Sequence, residues 1–129
     1  MRKDSYHNLD AALALSPAVQ SATVKGTTID LQGFASAMLV VNTGAIVGAG
    51  DYSAKLQHSL TTTDADFADV AAADLIGSLP ATLVADKSYR QGYIGSKRYI
   101  RVVVTKNGGT SIAAGAVVIK GMPAIGPVA

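Results

Sequence analysis

A single-domain antiparallel β-sandwich of about eight short strands, with extended N- and C-terminal arms, is the fold class this sequence predicts. Three observations predict it. Apolar and polar residues alternate with period two in several segments, as strands require if one face is to enter a core. Every acidic residue is Asp, a turn former, and none is Glu, a helix former; 13 Gly and many Val and Thr lean the same way. Turn residues recur between these segments at hairpin spacing, which favours a sandwich over a parallel α/β sheet.

Residues 1–28 mix charge, small residues and Pro17, and their apolar positions (Leu9, Ala11, Ala12, Leu13, Leu15) are too few for a long helix. The expectation is an N-terminal arm, or a frayed end with one helical turn near residues 9–15. The sandwich domain is expected over 29–120. There T-I-D-L-Q-G-F alternates, and A-M-L-V-V-N-T follows as a mostly apolar strand that should be buried on both faces. Gly44, Gly48 and Gly50 mark a flexible loop. In D-Y-S-A-K-L-Q-H-S-L, Tyr52, Ala54, Leu56 and His58 oppose Ser53, Lys55, Gln57 and Ser59.

T-T-T-D-A-D reads as a polar turn, D-F-A-D-V as a short strand carrying Phe67, and A-A-A-D-L-I-G as one helical turn or an extended edge. A further segment, A-T-L-V-A-D, follows Pro80. The clearest pattern lies in residues 93–120, two strands joined at Asn107-Gly108-Gly109 as a hairpin. Ile100, Val102 and Val104 share its apolar face; Tyr99, Arg101 and Val103 share the other. The tail, 121–129, holds Pro123 and Pro127 and should run extended.

Candidate chemistry is sparse. The loop G-A-I-V-G-A-G follows a strand, but its spacing is G-x-x-x-G-x-G, not the G-x-G-x-x-G that opens a helix at a dinucleotide site. Asp64, Asp66 and Asp69 cluster, yet lack the glycine and terminal Glu of a calcium loop, so they read as turn-tightening residues. His7 and His58 are the two imidazoles. His58 neighbours Ser59 in one strand, where side chains point to opposite faces, and no G-x-S-x-G elbow is present. No catalytic, cofactor or metal residue is therefore assigned, and an enzyme ranks last. Tyr93, Arg98, Tyr99 and Arg101, with Tyr89 and Arg90 nearby, form a candidate interface, because both residue types combine large contact area with a polar end. The blander alternative is a half-exposed sheet face with cation–π contacts.

At 129 residues the chain is one ordinary domain, able to bury roughly 65–70% of its unfolded surface without metal or disulfide. With no Cys, thiol catalysis and thiolate metal sites are excluded. A formal charge of +2, concentrated only at Lys97, Arg98 and Arg101, is no footprint for nucleic acid. No apolar run is long enough to span a membrane and the N-terminus lacks a signal-like apolar segment, so the expectation is a soluble protein made in the cytoplasm.

Three segments carry a family resemblance: D-L-Q-G-F-A-S-A-M-L-V-V-N-T-G-A-I, A-K-L-Q-H-S-L-T-T-T-D-A-D-F-A-D-V-A-A-A-D-L-I-G and G-Y-I-G-S-K-R-Y-I-R-V-V-V-T. Across residues 28–120 the chain resembles small virion structural proteins of tailed bacteriophages and prophages, most like head decoration, or cement, proteins. The resemblance implies a non-enzymatic virion component on the outer surface of the head, made in the host cytoplasm. Its implied partners are the major capsid protein and further copies of itself, as a trimer at threefold positions or as a monomer on each subunit. It transfers no functional residue. The alternatives are a head–tail connector or tail component, and, in a different class, a small β-sandwich ligand-binding module such as a carbohydrate binder. The last would favour exposed aromatic platforms, and the chain has no Trp.

Overall fold

The computed structural model of the protein describes residues 1–125; residues 126–129, the end of the expected tail, lie outside the described residues. Ten strands follow in chain order: β1 (Leu9–Gln20), β2 (Val24–Lys25), β3 (Ile29–Asp30), β4 (Phe34–Val47), β5 (Asp51–Ser59), β6 (Ala68–Asp69), β7 (Leu75–Ile76), β8 (Ser88–Tyr93), β9 (Tyr99–Gly108) and β10 (Ser111–Pro123). They form two antiparallel sheets, a β-sandwich as expected. The first runs β1-β10-β4-β8-β7; the second runs β2-β9-β5-β6, with β3 also pairing β9.

Alternation places the core between them. Leu39 and Val41 of β4 and Ala116 and Val118 of β10 face Tyr52 and Leu56 of β5 and Ile100, Val102 and Val104 of β9, all buried. The faces read for β5 and β9 are those observed.

Several expectations change. Residues 9–20 are not an arm: β1 pairs with β10 from Leu9↔Gly121 to Gln20↔Ile112 and buries Ala14 and Leu15. Two register shifts, between Leu13 and Leu15 and between Leu15 and Ala18, interrupt its alternation, and Pro17 is tolerated because β1 is an edge strand. Residues 24–30, also assigned partly to the arm, lie along β9 of the second sheet and reach back to β1. Gly26 N–H donates to Val102 O at 2.7 Å while Thr27 N–H donates to Ala14 O at 2.8 Å, and any Cβ at Gly26 meets both Ala14 and Val102. At the other end of the chain, Gly121 and Pro123 of the expected tail extend the pairing of β10 with β4.

Nor are β9 and β10 a hairpin. They lie in different sheets, and Asn107-Gly108-Gly109 carries the chain across the sandwich. The residues 48–50 make the same crossing between β4 and β5. The two crossings pack together: Gly109, at φ 75°, lies against Ala49 and Gly50, leaving no room for a Cβ. The glycine-rich loop is thus a tight crossing, and Gly44 lies inside β4. Tyr52 anchors this end, its hydroxyl 3.0 Å from Gln20 O and 3.2 Å from Thr110 O. Between β5 and β8, Phe67 ends a 3-10 turn (Asp64–Asp66) just before β6, a second 3-10 turn (Ala72–Asp74) precedes β7, and residues 81–86 form no strand although Leu83 is buried.

Candidate functional site

The four residues singled out as an interface do not form one surface. Tyr93 is 4% exposed, inside the core beside Ala37 of β4. Its hydroxyl accepts from Lys97 N–H at 3.0 Å and shares a hydrogen bond with His58 Nδ1 at 2.9 Å. Burial raises the phenol's pKa; burial, followed by the charge of Lys97, lowers that of His58. Arg98 forks onto Asp30, with Nε and Nη2 at 2.9 and 2.8 Å from the two carboxylate oxygens, and this contact brings the Asp30 pKa down to about 2. Tyr99 lies beside that pair, with the Arg98 guanidinium 5.0 Å from its ring centre.

Arg101 is on the outward side of β9 but only 6% exposed, because the loop after β5 folds over it. Its guanidinium sits 4.1 Å from the Phe67 ring centre, bonds Asp64 at 2.6 Å, and reaches Gln57 Oε1 through Nε at 2.9 Å and Nη2 at 2.8 Å. Lys25 also bonds Asp64, and Asp69 takes Lys55 and Gln57. These contacts, Arg101 first for Asp64 and Gln57 first for Asp69, lower both carboxyl pKa values. Asp66 accepts instead from Thr61. The three aspartates thus serve different partners, and among the described residues no cluster of three or more His, Cys, Asp or Glu could hold a metal ion. His7 bonds Asp4 at 2.6 Å, remote in sequence from His58, whose ring faces Tyr93 and whose neighbour Ser59 accepts from Thr61 N–H.

A different surface stands out. The outer face of the second sheet is polar, as a solvated face should be: Ser53 opposes Thr105, Gln57 opposes Arg101, and Asp30 opposes Tyr99. The outer face of the first sheet is largely apolar, with Ser36, Asn42, Ser88 and Arg90 as its polar outward positions on β4 and β8. Leu13, Val117 and Val40 form one row across β1, β10 and β4; Ala11, Ile119 and Met38 form the next. Val19 and Ala113 continue it at one end, and Ile76 extends it across Gly92. Leu13 is 53% exposed, Ile76 59% and Val19 68%. Among the described residues Arg90 is the charged side chain at an outward position of these strands. The run M-L-V-V was expected to be covered on both faces; Leu39 and Val41 are, while Met38 and Val40 face outward with no protein layer over them. Sequence reasoning missed this surface as a site, although the uninterrupted apolar runs of β4 and β10 were its signal.

The Ser16-Pro17 bulge rises over Gly115, whose Cβ position lies 3.0 Å from Pro17, beside a mostly apolar hollow of about 410 Å³ lined by Leu13, Pro17, Val19, Ala113 and Val117 together with Asn42 and Thr43. A groove of about 490 Å³ lies between the β3–β4 turn and the β8–β9 loop and is lined by two cations, Lys97 and Arg98, of which Arg98 is already held by Asp30. No helix among the described residues is long and apolar enough to cross a membrane.

No protein-family model matches the chain, and no curated protein matches it by sequence. Its fold is similar to that of solved structures. The crystal structure of SPBc2 prophage-derived protein YomS superposes with a TM-score of 0.51 at 13% identity, covering 86% of this chain and 94% of that one. Structures of the Gx and Gt strains of infectious bursal disease virus superpose at 0.44 and 0.45, with 13% and 14% identity, over 89% and 92% of this chain and 32% and 34% of theirs. The first of these shows a shared fold.

Proposed function

We propose that this chain is a non-enzymatic structural protein of a phage virion, a decoration or cement protein that binds the major capsid protein on the outer surface of the head and stabilises the shell. The observation that carries the reading is the first sheet's outer face: a strand pattern made for burial on both sides, with one side covered within the chain. Monomeric soluble proteins rarely leave so continuous an apolar face in water, and faces of this kind mark assembly surfaces. The scattered, mutually paired titratable groups favour a structural role over catalysis. The resemblance of residues 28–120 to phage structural proteins and the prophage origin of YomS agree with it.

The test is the copy number and position of the protein in purified particles of the phage that encodes it. Hundreds of copies on the head are expected, together with recovery of shell stability when purified protein is added back to heads lacking it. A few copies at the neck would refute decoration, and absence from particles would refute the virion role.

A further inference from the structure

The geometry points to a second copy of this chain as the occupant of the first sheet's outer face, so that the working unit is a two-fold pair joined sheet to sheet. The inference rests on the reading of that face as an assembly surface and gives it to a like chain, so that the pair would meet a capsid through its remaining surface.

Size is the first reason. Strands about 4.8 Å apart with outward residues about 6.8 Å apart give each outward position about 33 Å² of sheet, so about fifteen positions amount to about 500 Å² per copy. Two copies therefore bury about 1,000 Å² before side-chain relief is counted, the lower threshold for a specific interface. Charge is the second. With Arg90 as the charged outward group, the face carries no pattern to select an oppositely charged partner, whereas apolar sheets pack on one another by interdigitation alone. Symmetry is the third. One face per chain suits an isologous pair, while a cyclic trimer needs two different complementary patches on each chain. The second sheet's outer face does not offer the other patch, because Arg101, Asp64, Lys25, Asp69 and Lys55 are already paired within the chain. Finally, Pro17 and the two register shifts blunt the free edge of β1, so the contact is made by the face and not by edge-to-edge strand pairing. The ridge at Pro17 and the hollow beside it lie on that same face, as self-complementary packing requires.

The experiment is sedimentation equilibrium of the purified full chain at low-micromolar concentration. The expected mass is twice the 13.1 kDa of one chain. Leu13→Lys, at a side chain already half exposed within one chain, should keep the melt of a folded domain and weaken pairing at least about a hundredfold. Thr105→Lys on the opposite sheet should leave the mass doubled. A single-chain or triple mass for the wild type overturns the inference by itself, as does a folded Leu13→Lys protein that stays paired. A pair that never enters particles would sink the virion role and leave the pairing intact; a single chain that still loads onto heads would do the reverse.

Discussion

Arg101→Ala tests the placement of the residue most open to misreading, an arginine on the outward side of a strand that the structure makes an internal strut. Truncation removes a cation stacked 4.1 Å from Phe67, worth about 1–2 kcal/mol when shielded from water. It leaves Gln57 Oε1 without its two donors, costing about 1 kcal/mol, and strips the packed aliphatic stem for about 1 kcal/mol more. The expected loss is about 3–4 kcal/mol out of a total of roughly 5–15. Arg101→Met keeps the stem and discards the desolvation cost of a guanidinium, so it should lose less than half as much. Asp64→Asn touches the solvent-facing end of the contact, and its smaller loss should shrink as salt is added. Urea denaturation at one fixed protein concentration reads all three; at about 2 kcal/mol per molar, Arg101→Ala should move the midpoint by about 1.5–2 M with the slope unchanged. If Arg101→Ala stays within about 0.5 kcal/mol of wild type, the loop after β5 is not seated on this side chain, and Arg101 returns to being a free surface cation.

Removing residues 1–8 should leave the thermal melt unchanged, while removing 1–20 should abolish cooperative folding, because it deletes β1, uncovers the edge of β10 and takes Ala14 and Leu15 from the core; a folded domain lacking residues 1–20 would restore the arm. Tyr52→Phe deprives the carbonyls of Gln20 and Thr110 of their shared hydroxyl at a cost of about 1–2 kcal/mol, lowering the melting temperature by about 4–8 °C; no change would mean that water or relaxation satisfies both. His58 has a folded pKa below its ordinary 6.5, so its neutral form contributes stability above that value that is lost as pH falls. The Asp30 contribution, with the folded pKa near 2, is full above about pH 5, and it is lost as pH falls from 3.8 toward 2. Urea midpoints should therefore decline between pH 7 and pH 5, and His58→Gln should flatten that decline; an equal decline in the variant would contradict the assignment.

Strand β9 was legible because Ile100, Val102 and Val104 alternate with residues that face outward, and the faces of β5 were legible for the same reason. Strand β1 was not. Its two register shifts break the period, and Pro17, a breaker in most contexts, is harmless on an edge that only the sheet order defines. Of the candidate interface, Tyr93 and Arg101 could not be placed from local pattern, since one is held by His58 of the opposite sheet and the other by a loop more than thirty residues upstream of it.

By itself the sequence determined an all-β domain and the inward sets of its strongest strands, because period-two alternation and turn chemistry act over a few neighbouring residues. Only the tertiary structure decided which strands pair. The same Asn-Gly-Gly chemistry serves a hairpin or a crossing between sheets, and the choice at residues 107–109 falls to β5 and β4, which offer β9 and β10 separate ladders. It also decided that the apolar runs of β4 and β10 have one face covered within a single chain and the other turned outward, since coverage depends on which elements lie across a sheet and not on the residues of the strand.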